Sequence, residues 1–108
     1  MRHFATVVIG GGAAGIMAAG VAASRRGNVL LCERMEKPQR KVRITGKGRC
    51  NLTNLCSEEE FLAKVRCGAD FFASALHRFD SEATMRFFEH IGVPLTVERG
   101  RRVFPSSG

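Results

Sequence analysis

The sequence predicts an α/β fold, built on a parallel βαβ unit and continued by helices and a short β-hairpin. Three observations carry that prediction. FATVVI, residues 4–9, is a short β-branched run that stops at three glycines. AAGIMAAGVAASRR, residues 13–26, is alanine-rich, and VLL, residues 29–31, is a second short apolar run. Strand, tight glycine turn, helix and strand in that order make a right-handed crossover between parallel strands.

Each element has its own warrant. The first run is apolar on both faces, which predicts a buried strand. Alanine favours the helix at 13–26, arginines occupy its last turn, and Gly27 is placed to cap it. The second strand runs from Val29 and ends before Glu33. Residues 34–57 are basic and rich in turn formers, so they are expected to be mostly loop. A helix over Glu58 to Val65 would have Ser57 as N-cap and three acids in its first turn, where the dipole favours them. Phe72, Leu76 and Phe79, spaced i, i+4, i+7, predict a helix over Phe71 to Phe79. Another is expected from Ser81 to Ile91, capped by Asp80 or Ser81 and stopped by Gly92 and Pro94. Met85, Phe88 and Ile91 would share one of its faces. LTVE and RVF flank Arg99-Gly100-Arg101 as a hairpin. Two parallel strands leave most of a doubly wound sheet unsupplied. Residues 1–108 are therefore expected to be the N-terminal part of a longer domain.

Composition narrows the functional classes. At 44% hydrophobic and 25% charged, the chain is neither disordered nor membranous. Its apolar stretch from Ala13 to Ala23 is short and broken by glycines, and no signal peptide is visible, so a cytoplasmic location is expected. The four cysteines show no CxxC spacing and no histidine at a zinc-finger interval, so no metal site is expected. A net charge of +7 favours an anionic partner. Arg34, Lys37, Arg40, Lys41, Arg43, Lys47 and Arg49 crowd one segment, opposed there by Glu33 and Glu36. Such a run can follow a nucleic-acid backbone. No aromatic residue interleaves with it to stack bases, which favours a cofactor diphosphate over nucleic acid.

The diphosphate has a place to go. GGGAAG, residues 10–15, contains Gly10-x-Gly12-x-x-Gly15 after a strand and at the start of a helix. Glu33 answers it 21 residues after Gly12, at the end of the next strand. Each position has a task in a Rossmann-type dinucleotide site. Gly10 makes the tight turn, Gly12 admits the pyrophosphate, and Gly15 lets helix and strand pack closely. Gly12, Ala13 and Ala14 open the helix whose free N–H groups meet the diphosphate. Glu33 would accept from the adenosine ribose hydroxyls and repel a ribose 2′-phosphate, which argues against NADP in this site. The pattern alone is compatible with both FAD and NAD.

IGGGAAGIMAA, LLCERMEKPQRKVRITGKGRCNLTN and FFASALHRFDSEATMRFFEHIGVPLTVERGRRVFP resemble the N-terminal part of the aminoacetone-oxidase-type, BaiN-like family of NAD(P)/FAD-dependent oxidoreductases. The resemblance covers nearly all of the chain and about the first quarter of a family member. It implies FAD in the N-terminal Rossmann fold, NAD(P)H as a reductant of the full-length protein, and substrate-facing residues further along. Gly10, Gly12 and Gly15 match the diphosphate loop and Glu33 the ribose acid, with Arg34 beside it. Arg40 and Lys41 match basic positions just beyond. Gly46, Gly48, Arg49, Cys50 and Asn51 match a loop near the flavin, which Thr53 and Asn54 close. Lys47 stands where the family has glycine about as often.

Chemistry suits that loop to a flavin. Gly46 and Gly48 allow positive φ and close backbone approach. Arg49 can neutralise a diphosphate, and Asn51, Thr53 and Asn54 offer donors and acceptors to the flavin edge or ribityl hydroxyls. A solvated basic loop is the other reading. A thiol–disulfide reading uses Cys50 and Cys56, but five residues separate them where flavin disulfide reductases place four on a helix. No catalytic residue is assigned. The chain's partners are thus expected to be FAD and a further portion of the polypeptide or another subunit.

Overall fold

A computed structural model describes residues 2–44 and 48–107. The expectation for Gly46 therefore lies outside the described residues. The chain divides into two compact units, Met1–Gly48 and Arg49–Gly108.

The first unit is the βαβ crossover. Strand β1, Thr6–Ile9, pairs in parallel with β2, Val29–Cys32, in the register Thr6 to Val29 through Ile9 to Cys32. Helix α1, Ala13–Arg26, connects them and lies against both. Gly27 ends it in the left-handed region at φ 74°. The expectation that β1 is buried on both faces is corrected here. Thr6 and Val8 are half-buried, but Val7 is 52% and Ile9 80% exposed, because α1 covers only one face of the pair. The described part of the segment after β2 is mostly loop, as expected, with one short helix that its composition does not announce. Gln39 turns the chain at φ 58°, and Arg40–Ile44 form a short helix, α2. Neither glycine nor proline interrupts residues 39–45, which permits the turn to close once Arg43 N–H reaches Gln39 O at 3.1 Å.

The second unit holds a three-stranded antiparallel sheet and three helices. Strand β3, Thr53–Asn54, and β4, Leu95–Glu98, flank β5, Arg102–Pro105, in the order β3-β5-β4. The expected hairpin is present, closed by a 3-10 turn over Arg99–Arg101 with Gly100 at φ 76°. Two consecutive residues of central β5, Val103 and Phe104, are buried at 0% and 4% exposure, and Leu76 at 6% adds the helical contribution to the core. A sequence reading misses β3, since two residues show no alternation and its pairing is set by β5.

Two of the three helices of this unit, the first and the third, start where a side chain takes a free N–H group. Helix α3, Glu58–Ala63, has the full capping box: Glu60 N–H donates to Ser57 Oγ at 3.0 Å, and Ser57 N–H to Glu60 Oε1. Helix α4, Ala69–Arg78, follows Gly68 at φ 79° and stacks its Phe72 on Phe61 of α3 at 5.8 Å. Helix α5, Ser81–His90, is capped by Asp80, whose Oδ1 accepts from Ala83 N–H at 2.8 Å. Ser81 is buried instead and donates to Asn54 O, tying α5 to β3.

Candidate dinucleotide-binding site

The site in the first unit is built on three glycines with three different tasks. Gly10 turns the chain at φ 103° while its N–H still bonds Cys32 O at 2.7 Å. Gly11 is buried and works through its backbone. Its N–H donates to Glu33 Oε1 at 2.7 Å and its carbonyl accepts from Gln39 N–H at 2.7 Å. A Cβ on Gly11 would lie 3.1 Å from Pro38 Cβ and 3.2 Å from Glu33 Oε1, so a side chain there would press on both. Gly12 is the opposite case: a Cβ there meets nothing within 4 Å.

Open space at Gly12 faces the start of α1. That helix has no side-chain cap and no acid in its first turn, whereas α3 and α5 have both. The first intrahelical bond runs from Ile16 N–H to Gly12 O at 3.0 Å. The N–H groups of Ala13, Ala14 and Gly15 therefore lack helical partners, at the positive end of the dipole. Gly15 lets this end of the helix sit against the turn, since a Cβ there would fall 1.8 Å from Gly10 O. Orphan donors, a partial positive charge and unfilled space fit a diphosphate.

Glu33 is fixed by two backbone donors, Met35 N–H on Oε2 and Gly11 N–H on Oε1, both at 2.7 Å. The Met35 bond, then the Gly11 bond, hold its carboxyl below the ordinary range, and the Arg34 charge adds to them against the opposing effect of burial. It stays ionised and keeps acceptor capacity for a ribose. Arg34, Arg40 and Lys41 are exposed cations on the same unit. Arg40 follows Gln39, which is bonded to Gly11, so at least that cation is carried by a segment tied to the glycine loop. Gly48 sits at φ 87° with open space around it.

The rest of the expected loop behaves differently. Arg49 does not present a free charge: it is paired at two points with Glu98, 3.0 Å for Nη1 to Oε1, and lies 4.0 Å over the Phe104 ring. The Arg49 bond holds the Glu98 carboxyl below its usual range, and the same bond raises Arg49. Asn51, with its amide nitrogen turned inward, donates to Thr53 O at 3.1 Å and Val103 O at 3.3 Å. Thr53 Oγ1 bonds Ser81 Oγ at 3.4 Å, and Asn54 Nδ2 donates to Gly100 O at 2.9 Å. These donors stitch RCNLTN to VERGRRVF. Parts of two of the stretches that carry the family resemblance are thus neighbours in one sheet.

Cys50 and Cys56 are both free thiols. Between them Leu52 N–H bonds Val103 O and Leu55 N–H bonds Arg101 O, which keeps the segment extended. At about 3.3 Å per residue, Leu52 to Leu55 alone span more than a disulfide tolerates between its Cα atoms. The thiol pair expected by the rival reading is not made.

Sequence reasoning missed Gly11, Gln39 and Glu98. The available signal for Gly11 was its place in the middle of three consecutive glycines, where the fingerprint itself requires none. Nothing local marks the other two, since their partners lie 28 and 49 residues away.

The family profile of the HI0933-like protein Rossmann domain matches residues 4–108. The chain belongs to that family. The HI0933-like chain is 39% identical over 104 residues to a 3-dehydro-bile acid delta(4,6)-reductase of Clostridium scindens, covering 93% of this chain and 24% of that protein. It is 40% identical over 79 residues to a ribosomal RNA dihydrouridine synthase of Escherichia coli K12, covering 73% of this chain and 19% of that protein. It spans about a quarter of the first relative's length and less of the second's. Among the described residues, no helix is long and apolar enough to cross a membrane.

Proposed function

We propose that residues 1–108 are the N-terminal part of an FAD-binding Rossmann-type domain, and that the protein carrying them is a cytoplasmic flavoprotein oxidoreductase. The observation that carries the reading is the uncapped start of α1 above open space at Gly12, with Glu33 anchored beside it. Membership of the HI0933-like family and the reductase relative support the redox assignment.

Gly12, Ala13, Ala14 and Gly15 would hold the diphosphate through backbone N–H groups, and Glu33 the adenosine ribose. Arg34, Arg40 and Lys41 would balance the phosphate charge. FAD, when bound, supplies the electron and hydride transfer, with NAD(P)H as the reductant. The chain's own contribution is to bind and orient the adenine half. Substrate contacts belong to the rest of the protein or to another subunit.

Titrating the isotopically labelled chain with FAD, NAD and NADP tests this. FAD should shift the amide signals of residues 11–15 and 33 and bind most tightly, and NADP should bind most weakly. Unchanged glycine-loop signals at millimolar FAD, or NADP binding as well as NAD, would overturn the assignment.

A further inference from the structure

A groove of about 580 Å³ opens in the second unit between α3 and the Arg99–Arg101 turn. That volume is in the range of small-molecule sites. Phe61 and Val65 give it an apolar lining, and Phe61 is held in place by its stack on Phe72. Two cations flank this lining. Arg101 is fixed by a two-point pair with Glu60, at 3.1 and 2.9 Å, which leaves its remaining N–H groups available. Lys64 is exposed, and its ammonium has no ion pair or hydrogen bond among the described residues. With Glu60 as the one acid of the lining, the groove carries a net positive charge.

An aromatic surface beside one paired cation and one without a partner among the described residues suits a flat apolar molecule with a single negative group. The ring would lie on Phe61 and Val65, and the charge would meet Lys64 with Arg101 behind it. We propose that this groove binds a small aromatic carboxylate, independently of the dinucleotide site. The ammonium of Lys64 gains a partner that the described residues do not supply, while the Glu60–Arg101 pair orients Arg101 on the opposite wall.

Cys56 lines the same groove and reports on its occupancy, with Cys32, Cys50 and Cys67 as controls outside the lining. The experiment is alkylation of the whole chain by iodoacetamide, quantified at each cysteine by peptide mass spectrometry. Naphthalene-2-carboxylate is the probe and naphthalene-2-carboxamide its neutral counterpart. At saturation the carboxylate should slow Cys56 at least about fivefold by occupancy and leave the other three unchanged. Lys64→Gln should weaken that protection roughly tenfold, and Lys64→Arg should retain most of it. Lys64 gives α3 only its backbone, so neither variant should alter helix content by circular dichroism. Equal protection by the amide, no protection at all, or slowing of all four thiols alike would overturn the proposal.

Discussion

A methyl group at Gly15 would sit 1.8 Å from Gly10 O, while at Gly20, in the same helix, it would meet nothing within 4 Å. Alanine at these two positions should therefore act in opposite directions. Gly15→Ala must push α1 off the turn, and the first unit should lose its dispersed amide signals. Gly20→Ala should stabilise α1 by about 0.5–1 kcal/mol, the usual gain of alanine over glycine inside a helix, read as greater resistance to urea. Gly12→Val is a third case. Its side chain has room in the free chain, so the fold should survive, but FAD should no longer shift the loop amides. Protonation can be followed at single residues too. The two-point bond to Arg101, with the Ser57 backbone, lowers Glu60 from 4.5 to about 2. A depressed carboxyl stabilises the fold fully above its unfolded value and loses that contribution as pH falls through the folded one. Stability should thus decline between pH 4.5 and about 2, with the Glu60 carboxyl resonance titrating over the lower end. Arg101→Gln should move that titration back up. At this scale the turn at Gly10 and the close packing at Gly15 were legible because steric rules fix them, while the backbone bonds of Gly11 were not. The commitment of Arg49 to Glu98 was not, since a cation's partner is chosen by the fold.

Among the elements, end chemistry decided what could be read. The helices α1, α3, α4 and α5 were all expected within two residues of their observed ends, because Gly27, Ser57, Asp80 and Gly92 punctuate the chain. Helix α2 and strand β3 were missed. Each is short, and each depends on a distant bond, Gln39 to Gly11 in one case and the pairing with β5 in the other. Caps also give a measurable contrast. Ser57→Ala and Asp80→Ala should each cost about 1 kcal/mol in urea unfolding, by leaving a first-turn N–H group of α3 or α5 without its acceptor, as those of α1 already are. If either loss is negligible, the capping bonds do not hold in solution.

For the whole molecule, burial is uneven. Leu76, Val103 and Phe104, the buried apolar residues among those described, all belong to the second unit. In the first, Val7 and Ile9 stand open to solvent on the face of the β1–β2 pair that α1 does not cover. Hydrogen exchange of the 108-residue polypeptide should find its slowest amides around Val103 and Phe104 and little protection in β1 and β2. Thermal unfolding should be broad for the same reason. Added FAD should slow exchange selectively in the first unit, and a single cooperative transition without ligand would contradict this picture. The strand count pointed to an incomplete sheet, but the apolar run at Val7 and Ile9 was read as buried, because a hydrophobic pattern does not say which face a helix will cover.

The extended segment that keeps Cys50 and Cys56 apart matters whenever the protein is handled in air. A tighter loop would have let the two thiols pair harmlessly within one molecule. Instead Cys50, with Cys32 and Cys67, faces solvent. Oxidation should link copies into covalent dimers and larger species, visible as a ladder on a non-reducing gel and collapsed to one band by dithiothreitol.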